Sequence, residues 1–217
     1  MNFFNLPSRT KVGRVIPKNA FDAYTNTKQK RQFTDEIQRI TWTHKLSSET
    51  VNIEAKEIKE IQVFKVELKV QTDILKILEI INKAIPYHII FWVEFKDQAY
   101  ISTAAKHPHP TNEDISVLDW TFTSYWFNLA AKPFQFNLKG SLDTVFKDLC
   151  VQLTGKLDFY EKPLDSIVNN LQRIDKLKKE VLRLKLSISK SGQFKEKVQL
   201  NLKLKEVQNE LNKNSTI

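Results

Sequence analysis

The chain has 217 residues, 41% hydrophobic and 27% charged, with a net charge of +9; that length suits one compact domain with an appendage, a domain of roughly 150 residues burying about 70% of its unfolded surface. Four glycines argue against a glycine-rich phosphate loop, and a single cysteine, Cys150, excludes an internal disulfide. No apolar run approaches the roughly 18 residues of a membrane span and the start MNFFNLPSRTKV has no basic-then-apolar leader, so a cytoplasmic protein without membrane contact is expected.

The first twenty residues, with Pro7, Gly13 and Pro17, read as an extended arm. Asn19 and Thr27 are candidate N-caps before AFDAYTN and KQKRQFTDEIQRI, and in the second segment Phe33, Ile37 and Ile40 form a helical stripe. ITWTHKL alternates as a strand. After the polar SSETVNIEAKE, IQVFKVELK sets Phe64, Val66, Leu68 and Val70 against Lys65, Glu67 and Lys69, a strand with one core face and one charged solvent face. TDILKILEIINKAI is an amphipathic helix with Thr72 as its cap and Pro86 as its stop. YHIIFWVEF is apolar for most of its length, as in a strand covered on both faces. Strand, helix and strand in that order form a βαβ crossover. DQAYISTA, VLDWTFTSYWF and FQFNLK continue as antiparallel strands, and SLDTVFKDLCVQL closes the domain as a helix capped by Ser141.

From Pro163 the composition shifts to Leu, Lys, Glu, Gln and Asn. Ile167, Leu171, Ile174, Leu177, Val181, Leu184 and Ile188 recur at threes and fours, SKSGQ breaks the run, and Leu200, Leu204, Val207 and Leu211 resume it. The segments LRLKLSIS and VQLNLKLK also alternate as a β-hairpin would, but strong helix formers and few β-branched residues favour helix. The expected fold is therefore α+β. It comprises a mixed β-sheet containing a βαβ crossover and flanked by helices over residues 1–160, with a coiled-coil-like antiparallel helical hairpin over 161–217, each arm about 30 Å.

Glu67 and Lys69 form the acid-x-lysine pair that metal-dependent nucleases carry on a core strand, and residues two apart share a face. Such chemistry needs a second carboxylate on the neighbouring strand. With ITWTHKL paired through a turn near 56–57, Glu67 falls opposite Leu46 and Glu54 lies about 26 Å away along the ladder, so a solvated strand face is the favoured reading. His107 and His109 in AKHPHP, with Glu113 and Asp114 beyond, lack the spacing of a metal site and read as a Pro-rich surface loop; no metal or cofactor is assigned. Cys150 sits on an apolar helix face as a structural thiol. The aromatics from Trp120 to Phe127 could stack bases, but core packing is the commoner use of strand aromatics.

Charge is unevenly spread. Residues 1–31 carry seven basic and one acidic side chain, residues 32–162 fifteen and eighteen, and residues 163–217 twelve and six. The basic ends nominate a phosphate-directed, sequence-blind DNA or RNA surface. Its members are Arg9, Lys11, Arg14 and Lys18 in the arm, Lys28, Lys30 and Arg31 at the helix start, and Arg173, Lys176, Lys178, Lys179, Arg183 and Lys185 in the tail. The plain alternative is that lysine-rich helices keep a protein soluble.

The fragments LPSRT, IPKNAF, ITWTHKL, EIQVFKVELK, AIPYHIIF and QFKEKVQL with ELNK together resemble, over nearly the whole chain, a bacterial domain-of-unknown-function family. Its members tend to be encoded beside helicase and DNA methyltransferase genes in restriction-like defence clusters. The resemblance implies an accessory role and transfers no catalytic residue; a non-enzymatic subunit is the first hypothesis. The expected function is an accessory subunit of a bacterial antiviral defence or restriction-modification-like system. It would dock on a larger helicase or methyltransferase through the hairpin, or pair with a second copy there, and touch nucleic acid through its basic residues. The alternative is a divergent metal-dependent nuclease centred on Glu67 and Lys69.

Overall fold

The computed structural model describes residues 4–215; within that range the side chains of residues 113, 114 and 215 lie outside the described residues, so Glu113 and Asp114 enter no site below. It divides into two compact units, residues 1–160 and 161–217.

The first unit is a mixed sheet built in chain order. Strand β1 (Lys11–Ile16) pairs antiparallel with β2 (Ile37–Ser47), and β2 with β3 (Glu60–Leu68). Helix α3 (Leu75–Ala84) carries the chain to β4 (His88–Phe95), which lies parallel to β3 and completes the βαβ crossover. The long hairpin β5 (Gln98–His109) and β6 (Asn112–Thr123) follows antiparallel, and a two-residue β7 (Phe127–Asn128) pairs with β5. Helix α1 (Thr27–Glu36) precedes β2, a short α2 (Ser48–Val51) follows it, and α4 (Leu142–Thr154) ends the sheet domain.

The local chemistry accounts for these boundaries. Asn26, rather than Thr27, caps α1, accepting from Gln29 N while the Gln29 side chain accepts from Asn26 N; Asn19 caps nothing, because it lies inside a short 3-10 helix over Lys18–Tyr24. Ser141 caps α4 as the sequence predicts, accepting from Thr144 N. Helix α1 stops at Glu36, so Ile37 and Ile40 pack from β2 and not from a helical stripe. They join Phe33, Phe64, Val66, Leu68, Ile77, Leu78, Ile81, Phe91 and Val93 in a core between one sheet face and α1 and α3. Burying each of these large side chains is worth about 1.5–3 kcal/mol relative to exposure.

Three expectations are corrected. The strand β3 ends at Leu68, and Val70 is exposed instead of buried. FQFNLK forms no strand, because the N–H and C=O of Gln135 bond the side chain of Gln152 on α4. AKHPH, through His109, is the far end of β5 and not a loop, with Pro110 in the turn that follows.

The second unit is a helical hairpin, α5 (Leu164–Lys190) and α6 (Phe194–Ser215), and the alternating segments LRLKLSIS and VQLNLKLK are both helical. Ile174, Val181 and Leu184 of α5 are buried, and the arms are fastened by Arg173 to Glu210 at 2.7 Å and Lys203 to Glu180 at 3.6 Å. Leu200, Leu204, Val207 and Leu211 of α6 are half-buried.

Candidate functional site

Side chains alternate along a strand, so Lys65 and Glu67 leave the sheet opposite to Phe64 and Val66, whose face carries the core. In the parallel register Lys65 is level with Trp92, and Glu67 with Glu94; on β2, Arg39 is level with Glu67. The result is a mixed-charge cluster toward the carboxyl ends of the two parallel strands. Arg39 donates to Glu67 at 2.5 and 3.0 Å through Nε and Nη2. Lys65 Nζ lies 3.4 Å from Glu67, 2.8 Å from Glu94, and 5.5 Å above the Trp92 ring. The Phe4 ring meets Trp92 at 6.2 Å and 73°, and also meets Phe136 at 4.7 Å. The hydrogen bonds from Arg39, helped by Lys65 and opposed by partial burial, hold the Glu67 carboxyl below the usual carboxylate range.

Lys69 is not part of this cluster. It lies past the end of β3, and its ammonium donates to the Thr34 carbonyl at 2.8 Å in the last turn of α1, where exposed carbonyls attract a cation. The acid-x-lysine pair is therefore not assembled, and Lys65 takes the place beside Glu67. The predicted strand register also shifts: Glu67 faces Arg39, not Leu46, because α2 and a loop lengthen the connection and a bulge interrupts β2 near Thr43. Glu54, the upstream acid, bridges to Ser141 and pairs with Lys56. The carboxylate missing from the antiparallel neighbour is present on the parallel one, as Glu94. A sequence signal existed, since Phe64-Lys65-Val66-Glu67 and Phe91-Trp92-Val93-Glu94 share the pattern F-x-V-E and align residue for residue.

At the opposite end of the same strands the sheet is closed. The His88 ring meets Phe146 of α4 at 4.6 Å, and burial, with Lys106 nearby, lowers its pKa to about 4 against the opposing pull of Asp143. Asp143 accepts from the backbone N–H groups of Lys56, Glu57 and Ile58, each at 3.1 Å, tying the β2–β3 connection to α4. Burial raises its pKa, but those bonds outweigh burial and hold it below the usual value. Lys106, on β5, donates to the carbonyls of Asn82 and Ile85 at 2.7 and 2.6 Å where α3 ends, and burial lowers its pKa to about 7. None of these three had a sequence motif to announce it.

The remaining candidates fall apart in space or find structural work. His107 pairs with Asp119 at 3.0 Å while His109 Nδ1 accepts from Thr111, and among the described residues no group of three or more His, Cys, Asp or Glu is placed to hold a metal ion. Cys150 is buried, which pushes its thiol pKa well up. Of the aromatic run, Phe122 is buried, Trp126 packs edge-on to Tyr100 at 4.8 Å, and Tyr125 alone stands in solvent.

The basic set divides. Lys18 is withdrawn from it, because its ammonium donates to the Ile37 carbonyl and burial and Lys69 lower its pKa. Lys30 pairs with Asp22 at 3.2 Å. In the hairpin Arg173, Lys179 and Arg183 pair with Glu210, Asp175 and Glu180, each at 2.7 Å. Arg9, Lys11, Arg14, Lys28 and Arg31 in the first unit, and Lys176, Lys178 and Lys185 in the second, are exposed and make no ion pair among the described residues. Lys11 and Arg14 stand on the edge strand β1, where Gly13, at φ +73°, makes the bulge. Cations and a bulge on an edge also discourage strand addition by another chain, which is the structural use of the same residues.

A family model described as a domain of unknown function, DUF4391, matches residues 4–211. The chain belongs to the DUF4391 family. No curated protein and no solved structure matches it. The DUF4391 match spans both the sheet unit and nearly all of the hairpin, so the two are parts of one family pattern. No helix among the described residues is long and apolar enough to cross a membrane.

Proposed function

We propose that this protein is a non-enzymatic accessory subunit of a bacterial defence or restriction-modification-like system. In this reading the hairpin docks onto a larger helicase or methyltransferase protein, and Arg9, Lys11, Arg14, Lys28 and Arg31 touch nucleic-acid phosphates without reading sequence. The observation that carries it is the apolar surface of the hairpin away from its seam: Leu182 and Leu186 are each 61% exposed, Phe194 83%, Val198 43% and Leu202 60%. Exposed apolar stripes of this size are ordinarily covered by a partner. The mixed-charge cluster fits the same reading, because its two carboxylates are already neutralised by Arg39 and Lys65. Affinity capture on the full chain, compared with a Leu186→Asp, Leu202→Asp variant, tests the docking. A helicase or methyltransferase recovered by the first and lost by the second is expected; no hairpin-dependent protein would refute it.

One observation favours a second reading, a metal-dependent nuclease: Glu94 beside Glu67 supplies the neighbouring carboxylate, with Lys65 in the role first given to Lys69. Plasmid incubated with magnesium or manganese decides between them. Cutting that disappears in Glu67→Ala would establish the nuclease and sink the accessory reading.

A further inference from the structure

On a helix, side chains three and four positions apart are neighbours, so Phe194, Val198 and Leu202 form one exposed stripe along α6, and Leu182 and Leu186 a second along α5. The pairing of Arg173 with Glu210 and of Glu180 with Lys203 sets the two arms antiparallel, with Leu182 level with Asn201, one residue from Leu202, and Leu186 level with Lys197, one residue from Val198. Both stripes therefore occupy the half of the hairpin next to its turn.

The charge around them is one-sided. At three or four residues from the stripe positions stand Lys178, Lys185, Lys190, Lys195, Lys197 and Lys205, which make no ion pair among the described residues. The other cations so placed, Lys179 and Arg183, are already paired with Asp175 and Glu180, and Glu206 is the one acid at the same spacing. A second copy of this chain would bring the same lysines against these, and like charges facing across an interface oppose association. We infer that the turn-proximal half of the hairpin is a docking surface for an acidic partner protein, one that offers an apolar groove or helix stripe flanked by Asp and Glu. This rests on the accessory reading, names the chemistry of its partner, and replaces the expectation of pairing between two copies. Leucine and phenylalanine would supply the buried contact, and the lysines would select the partner and speed its approach.

The test uses the full chain and two synthetic amphipathic helical peptides of one design, a leucine stripe flanked by glutamates in one and by lysines in the other, titrated by fluorescence anisotropy. The glutamate peptide is expected to bind at least about tenfold more tightly than the lysine peptide, with the preference shrinking as salt rises. Lys185→Glu with Lys197→Glu should reverse the preference. Leu186→Ser with Leu202→Ser should abolish binding of both peptides while leaving the circular-dichroism melt unchanged, since these side chains are exposed. Equal binding of the two peptides overturns the inference, as does failure of the glutamate peptide to bind. So does its displacement by duplex DNA or by anionic phospholipid vesicles, or sedimentation of the wild-type chain as a dimer. Hairpin-dependent capture of a helicase or methyltransferase without glutamate-peptide binding would leave the accessory reading standing and remove this one.

Discussion

Glu94 stands beside Glu67 in the parallel register of β3 and β4, and one ammonium, that of Lys65, lies 2.8 Å from the first carboxylate and 3.4 Å from the second. Two carboxylates side by side repel each other unless a cation joins them, and here Lys65 does so between the strands while Arg39 neutralises Glu67 from β2. The cluster is a set of ion pairs across three strands. Its acids are committed to protein cations.

Glu67 has a pKa below its ordinary value of 4.5 in the folded chain, so its stabilisation is fully present above pH 4.5 and is lost as pH falls below that through the folded value. Glu67→Gln should flatten the acid side of the stability curve, measured by urea unfolding at a series of pH values. An unchanged slope below pH 4.5 would show that the Arg39 pairing contributes nothing in solution.

Lys106 has the opposite sense. Its pKa is near 7 folded and 10.5 unperturbed, so between those values the unfolded chain binds more protons and stability rises with pH. The slope from this group alone reaches up to about 1.4 kcal/mol per pH unit. Comparing wild type with Lys106→Met in guanidinium unfolding from pH 7 to 9.5 should show that slope only in the wild type.

His88 should remain neutral well below the ordinary histidine range. In an NMR titration its ring protons should begin to move only as the pH approaches about 4, because the ring is buried against Phe146. A midpoint above pH 6 would mean that α4 does not close over this end of the sheet.

Asp143→Ala should cost about 1–3 kcal/mol by chemical denaturation, because three backbone N–H groups lose a charged acceptor at once. Protection from proteolysis near residues 52–59 should fall in the same variant, since that connection is what the carboxylate holds.

Nucleic-acid binding, if phosphate-directed, must depend on salt. Affinity for duplex DNA should fall steeply between 50 and 200 mM salt, and replacing Arg9, Lys11 and Arg14 with alanine should lower the log-log slope by about 0.9 for each phosphate charge no longer neutralised. A gel shift showing no retardation at low salt would remove the nucleic-acid part of the proposal and leave the docking part intact.

Periodicity alone made much of the architecture legible. The apolar run of YHIIFWVEF after the helix of TDILKILEIINKAI marked β3, α3 and β4 as a crossover, and the threes and fours after Pro163 marked α5, because side-chain spacing reports which face of an element is buried. Local capping was readable too at Ser141, where one side chain and one N–H suffice. The stripe from Phe33 to Ile40 misled because a helix that ends at Glu36 and a strand that begins at Ile37 can feed the same core, and a spacing pattern does not record the change of element.

What the sequence by itself determined, then, is the kind and the buried face of the strongly periodic elements, β3, α3, β4 and the two arms of the hairpin. That Lys65 and Glu67 share a strand face follows from a period of two. Which residues stand beside them does not, because register depends on the α2 connection, the bulge in β2, and the choice of a parallel neighbour, all set by packing between segments distant in the chain. The same cause sent Lys69 to the Thr34 carbonyl and Lys106 to the end of α3. A charged side chain goes to the nearest group that compensates it, and only the tertiary structure decides which group that is.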